Sequence, residues 1–326
     1  MRVVRVHRFG GPEELVLGDA PEPVPEAGEV LVEVAVAGMS FIETQMRRGT
    51  DPWHAKPPLP YVPGGLVAGR VGAVGPGGDP AWLGRRVVAP TGGDGLTGGF
   101  AERAVAPAAA LFPVPDGLEL PEALALYGDG ATARGLVERA AVQPGEWVLV
   151  EAAAGGVGSL LVQLARAAGA RVVGAARGER KLRAVEELGA EVAVDYSAAD
   201  WAGQVRAATG GEGVDLVFDG VGGEVGRTAF GLTRRGGRFS VHGASSREVT
   251  EVDADVAGRR GVEVIGVEQL FDFGQHVTRW AGEAMDLAVA GTVRPLIGQT
   301  FPLERAADAH AAIEGRTTLG KTLLVL

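Results

Sequence analysis

The first third of the chain is a succession of short apolar runs broken by glycine and proline. Val30 to Ala37 partly alternates in polarity, Leu66 to Val74 and Arg86 to Ala89 are rich in β-branched residues, and turns such as Gly75-Pro-Gly-Gly78 divide them. This is the pattern of a compact antiparallel or barrel-like β domain reaching to about Leu118. Ser40 to Arg48 is more polar and reads as a short helix. The stretch Pro113 to Pro121 is a rigid connector, and Pro121 stands in the first turn of the helix that follows.

Beyond the connector the rhythm changes. Strand-like runs over 147–151, 171–175, 192–195, 214–219, 237–241 and 262–267 alternate with helical segments over 157–168, 179–188, 200–208 and 223–232. Gly169 and Gly189 sit where helix C-caps belong. Such alternation predicts a right-handed, doubly wound parallel sheet. A helix near 275–290, a strand over 295–301, a helix over 304–314 and a last strand over 322–326 follow without a further βαβ signal. They are expected to return to the first domain, giving a division into 1–120, 121–270 and a tail 271–326.

Composition narrows the functional classes. The 326 residues are 46% hydrophobic and 22% charged, with a formal net charge of −10 that argues against a general nucleic-acid or anionic-membrane surface. No cysteine is present, which removes disulfides, thiolate zinc, iron–sulfur clusters and a thiol nucleophile together. The start lacks a signal-peptide core and no run approaches the roughly 18 apolar residues of a membrane span. A cytoplasmic protein is the expectation.

The candidate chemistry centres on the turn after the run at 147–151. Ala153-Ala-Gly-Gly-Val-Gly158 leads into a helix, so a phosphate can rest there on unpaired backbone N–H groups at the positive end of the helix dipole. Ala154, Gly155, Gly156, Val157 and Gly158 are the residues of that cradle. After the second strand, where an NAD site places a carboxylate, stand Ala176 and Arg177, with Arg180, Lys181 and Arg183 beyond. That exchange suits a ribose 2′-phosphate and so NADPH; Arg180 and Arg183 read equally well as a solvated helix face. Tyr196 follows the third strand, Gly220 the fourth, His242-Gly243-Ala244 the fifth, and Phe271 the last, each placed to line a dinucleotide. Tyr196 and Phe271 fit packing roles as well.

Ala152 to Gly158, Pro60 to Gly69, Val142-Gln-Pro-Gly145 and Gly320 to Val325 together resemble the medium-chain dehydrogenase/reductase superfamily, over nearly the whole chain. Within it the chain is similar to the zinc-free quinone oxidoreductase (zeta-crystallin-like) branch. The resemblance implies a GroES-like β-barrel catalytic domain beside a Rossmann sheet, NADPH as cofactor, and a homodimer paired through the last coenzyme strand near Val262 to Val267. Zinc-dependent members carry Gly-His-Glu where this chain has Gly64-Gly65-Leu66, so no metal ligands are expected.

The resemblance also implies site residues. Ser40 takes the place of an asparagine near the nicotinamide, Thr132 matches a threonine beside the cofactor amide, and Arg316 matches an arginine that reaches the 2′-phosphate. Tyr127 is a candidate proton donor, beside the reading of a packed helix tyrosine. Gln45 and Asp51 stand where the branch has aromatic pocket residues. The expected reaction is hydride transfer from NADPH to a quinone or α,β-unsaturated carbonyl compound, since conjugation spreads charge that a Lewis acid must otherwise stabilise. An enoyl-thioester reductase and an NADPH-binding sensor or scaffold are the alternatives.

Overall fold

The computed structural model describes residues 1–92 and 96–326. The chain forms two units, Met1–Gly128 with Ile297–Leu326, and Asp129–Leu296.

In the first unit β1 (Arg2–Val6) pairs antiparallel with β2 (Leu15–Asp19). Then come β3 (Glu29–Met39), α1 (Phe41–Arg48), β4 (Leu66–Val74), β5 (Arg86–Pro90), β6 (Arg103–Pro107), β7 (Phe112–Pro113) and α2 (Leu120–Ala125). Strand β3 is the hub, paired antiparallel with β4 and, at its start, with β6. Register shifts between Leu31 and Val32 and between Val34 and Val36 bend it. Its alternate residues Val30, Val32 and Val34 then enter one core with Val67, Val87 and Phe100.

A π-helical turn at Leu126–Gly130 leads into the second unit. Its elements are α3 (Ala131–Arg139), β8 (Trp147–Val150), α4 (Gly156–Ala167), β9 (Arg171–Ala176), α5 (Glu179–Glu187), β10 (Val192–Asp195), α6 (Trp201–Ala208), β11 (Val214–Asp219), α7 (Gly223–Leu232), β12 (Thr233–Val241), α8 (Ala254–Arg260), β13 (Glu263–Ile265) and α9 (Val277–Val289). The strands are parallel in the order β10-β9-β8-β11-β12-β13. The chain steps outward from β8 to β10, then crosses to β11 on the other side. That reversal opens a crevice at the carboxyl ends of β8 and β11, where such sheets hold ligands.

The tail forms β14 (Ile297–Pro302), α10 (Ala306–Glu314) and β15 (Lys321–Val325). Strand β15 pairs parallel with β14 and antiparallel with the end of β3, and Leu303, Ala306, Ala309 and Leu324 complete the first core.

The junctions fall at 128/129 and 296/297 rather than at 120/121 and 270/271. Helix α9 stays with the second unit because Gly135 of α3 lets it pack closely: a Cβ there would lie 2.6 Å from Trp280 and 2.9 Å from Phe273. Strand β12 begins at a buried Thr233, ahead of the expected 237; Arg234, Arg235 and Gly236 after it are exposed and give no apolar signal. Strand β13 is shorter than 262–267 because Gly266 caps a 3-10 segment, Val267–Gln275.

Candidate functional site

The turn after β8 is anchored on both sides by the sheet. Glu151 N–H bonds to Phe218 O at 3.0 Å and Ala153 N–H to Ala175 O at 3.0 Å. Between them Ala152 takes φ 47°, a left-handed conformation that a side chain disfavours. Gly155 N–H closes the turn on Ala152 O at 2.8 Å, and Gly155 is the N-cap of α4 with no side chain capping it. The first intrahelical bond is Ser159 N–H to Gly155 O at 2.9 Å, so the N–H groups of Gly156, Val157 and Gly158 precede it and point out of the helix end.

This cradle fits a diphosphate. Its donors are main-chain amides at the positive end of α4, and no side chain of Ala154 to Gly158 carries charge. Gly158 is required for packing: a Cβ there would stand 2.9 Å from the Ala152 carbonyl carbon and closer still to its oxygen. One acid faces the turn, because a Cβ on Gly156 would stand 2.9 Å from Asp129 Cγ and closer to its Oδ2. Asp129 arrives there on the π-helical turn, and it is a residue that sequence reading passed over.

At the end of β9, Ala176 is buried and Arg177 is exposed. Gly178, at φ 83°, turns the chain into α5, whose first turn carries Lys181, half-buried. The acid of this corner is Asp195, which accepts from Gly178 N–H at 2.9 Å and from Ser197 Oγ at 2.5 Å. Burial pulls its carboxyl upward, but the Ser197 and Gly178 hydrogen bonds and the Arg177 charge outweigh this and hold it below its ordinary value. Tyr196 packs beside the sheet core.

The ends of β8, β11 and β12 bring together three titratable groups, two of them unforeseen. Asp219 Oδ1 accepts from Gly222 N–H at 2.8 Å and Val221 N–H at 3.1 Å, and its Oδ2 from Thr250 Oγ at 2.5 Å. Glu151 Oε2 also accepts from Val221 N–H, at 3.2 Å. Both carboxyls are fully buried, and burial first, then the Asp219 charge, push Glu151 well above its ordinary range. His242 lies against Gly220, where a Cβ would be 2.8 Å from its Nε2, and burial lowers the imidazole to about 4, so it is neutral. The Gly243 backbone runs beside Gly220, a Cβ on it meeting Gly220 O at 2.9 Å.

Residues 154–158, 176–177, 196, 220 and 242–244 thus line the carboxyl edge of one sheet. Thr132 stands in the first turn of α3, and Phe271, itself exposed, in the 3-10 segment of the same unit. Ser40, Tyr127 and Arg316 belong to the first unit. Tyr127 packs edge-on against Phe112, ring centroids 5.7 Å apart, and burial raises its phenol. Arg316 follows α10 at φ 55°, another left-handed side-chain-bearing residue.

Ser40 caps α1 through Glu43, the further group that sequence reading missed. Ser40 N–H bonds to Glu43 Oε2 at 2.6 Å and Ser40 Oγ to the same oxygen at 3.1 Å, while Glu43 Oε1 accepts from Gly65 N–H at 3.2 Å. The signal was available: Ser-x-x-Glu is a capping box. What the spacing does not reveal is that this glutamate is buried. Of the two positions replacing pocket aromatics, Asp51 pairs with His54 at 2.7 Å and Gln45 lies within α1. Among the described residues no group of three His, Cys, Asp or Glu side chains is arranged to hold a metal ion.

Comparison with known proteins agrees with this geometry. The sequence model of the zinc-binding dehydrogenase family matches residues 156–287, and that of the alcohol dehydrogenase GroES-like domain matches residues 26–116. Quinone oxidoreductase of Rattus norvegicus is 34% identical over 329 residues, covering 100% of this chain and 98% of that protein. A 2-haloacrylate reductase of Burkholderia sp is 31% identical, covering 98% and 97%. The structure of Escherichia coli quinone oxidoreductase complexed with NADPH superposes with a TM-score of 0.89 at 28% identity over 100% of both chains.

Proposed function

The chain belongs to the quinone oxidoreductase branch of the medium-chain dehydrogenase/reductase superfamily, and on that footing we propose that it reduces a quinone or an α,β-unsaturated carbonyl compound with NADPH. The observation that carries this reading is the bare amide cradle at 155–158, at the reversal point of the sheet.

When bound, the nicotinamide supplies the hydride. The chain's own residues do the rest. Gly156, Val157 and Gly158 offer N–H groups to the diphosphate, and Gly220, Gly243 and Ala244 let the dinucleotide lie close along the strand ends. Ala176 leaves room for a 2′-phosphate and Arg177 offers it a bidentate charge-assisted donor. Arg316 is a second donor, and its left-handed backbone is the kind of local strain found where a side chain must be held for function. Thr132 faces the cofactor amide, and Lys181, Tyr196, His242 and Phe271 line the remaining walls. Ser40 presents a hydroxyl to the substrate oxygen, and Tyr127 is the other candidate proton donor.

The ligand chemistry of a catalytic zinc is missing from the sequence, which has no cysteine and Gly64-Gly65-Leu66 in place of Gly-His-Glu. A conjugated acceptor is the substrate class that needs least help, because its π system spreads the charge left by hydride arrival. The Burkholderia relative, named for a haloacrylate, supports an activated alkene as well as a quinone. Strand β13 is the sheet's edge with Val264 exposed, the surface through which a homodimer would pair. No helix among the described residues is long and apolar enough to cross a membrane, and a cytoplasmic setting is part of the proposal.

Steady-state assays over a panel of quinones, enones and acrylates, with NADPH and NADH in parallel, test this reading. Turnover of conjugated acceptors with NADPH preferred at least tenfold is expected, and Arg177→Ala should reduce that preference. Binding of NADPH without oxidation across the panel would refute it.

A further inference from the structure

Asp195 stands one strand out from the place where an NAD site keeps its acid. Strand β10 runs parallel to β9 with Asp195 in register with Ala176, and Tyr196 N–H bonds to Ala176 O at 3.2 Å. The carboxylate that β9 lacks at its end is thus supplied by its neighbour. Its oxygens are committed to the chain itself. Oδ2 accepts from Gly178 N–H at 2.9 Å, and Oδ1 from Ser197 N–H at 2.8 Å and Ser197 Oγ at 2.5 Å.

Gly178 alone separates Arg177 from α5. It takes φ 83°, a region that glycine enters freely, and it is the N-cap of a nine-residue helix without a side-chain cap. A turn built on such a residue has many conformations open to it. The bond from Gly178 N–H to Asp195 selects one of them, and with it the direction in which Arg177 leaves β9. The charged groups around the acid belong to the same corner. The Arg177 charge acts on it, yet the two form no ion pair among the described residues, so the exposed guanidinium stays open to an anion. Glu179 is taken up by Arg183 at 3.1 Å. Arg177 and Lys181 set against Asp195 leave the corner cationic.

We propose that Asp195 is the positioning residue of the 2′-phosphate corner: by fixing Gly178 it aims Arg177 at that phosphate and so sets the preference for NADPH over NADH. The inference rests on the reductase reading above, in which Arg177 meets the phosphate. A guanidinium already held in place loses less freedom when its ligand arrives. NADH carries no group there, so it is indifferent to where Arg177 points.

Nucleotide titrations and amide exchange on the full-length protein test this. Asp195→Ala should weaken NADPH binding roughly tenfold while NADH binding stays within about twofold. In an Arg177→Ala background the same change should move NADPH by less than about twofold, because no guanidinium is left to aim. Asp195→Asn, whose carbonyl still accepts from Gly178 N–H, should keep most of the preference. Hydrogen exchange of the Gly178 amide needs no nucleotide: it should quicken at least tenfold in Asp195→Ala and stay slow in Asp195→Asn. Wild-type preference in Asp195→Ala would overturn the proposal. So would an equal loss for both nucleotides, a loss that persists without Arg177, or tighter NADPH binding, which would make the acid only a repelling charge. Failure of the wild type to bind either nucleotide would instead defeat the reductase reading, while Gly178 exchange would still report whether Asp195 holds the turn.

Discussion

Gly158 lies against the Ala152 carbonyl so closely that a Cβ on Gly158 would come within 2.9 Å of the carbonyl carbon. This contact presses the first turn of α4 onto the end of β8 and aims the free amides of that turn at the crevice between β8 and β11. Backbone shape, rather than side-chain charge, makes the cradle.

Ala152 bears the strain of that shape. A side-chain-bearing residue in the left-handed region costs about 1–2 kcal/mol, partly offset in a glycine variant by about 0.5–1 kcal/mol of backbone entropy. Ala152→Gly at φ 47° is therefore expected to raise stability by about 0.5 kcal/mol, read as a higher urea midpoint at unchanged slope. A loss of stability would show that the turn is relaxed.

Asp129 puts a negative charge beside the site meant for a dianion. Asp129→Asn should tighten binding of NADPH and NADH alike, by about threefold to tenfold, because both carry the same diphosphate. Nucleotide titration followed by nicotinamide fluorescence measures it. Weaker binding of both would mean that the acid helps to build the cradle.

Much of this was legible in the sequence. The coenzyme unit announced itself because its strands are buried on both faces, so β8, β9 and β11 read as apolar runs, and because Gly169 and Gly189 take φ of 86° and 98° where helices end. The cradle was legible for the same reason, its glycines being demanded by local geometry. The buried acids were not. Glu151 looks like a polar strand terminus, and only Val221, seventy residues away, reveals its role. Asp129 stayed hidden because a π-helical turn, rather than its own spacing, carries it to Gly156. The end of the second unit was misplaced because the packing of Trp280 on Gly135 is a long-range fact with no local mark.

Glu151 should make stability depend on pH with a definite sign. Its folded pKa lies well above the ordinary 4.5, so its contribution is fully present below 4.5 and is lost as pH rises toward the folded value, while the unfolded chain releases its proton first. Glu151→Gln cannot ionise, so its melting temperature relative to wild type should climb as pH rises from 4.5 and level off above the folded pKa. A difference that stays flat above pH 4.5 would contradict the raised carboxyl of Glu151.

The central claim is that a nicotinamide dinucleotide rests its diphosphate on the amides of residues 156–158. Gly155→Asp addresses it most directly, because an N-cap aspartate bonds the first-turn amides itself, is worth about 1 kcal/mol to the helix, and brings a negative charge. Calorimetric titration of NADPH into this variant should show binding weakened at least a hundredfold in a protein whose melting temperature is no lower than wild type. Wild-type affinity for NADPH in the folded variant would contradict the account.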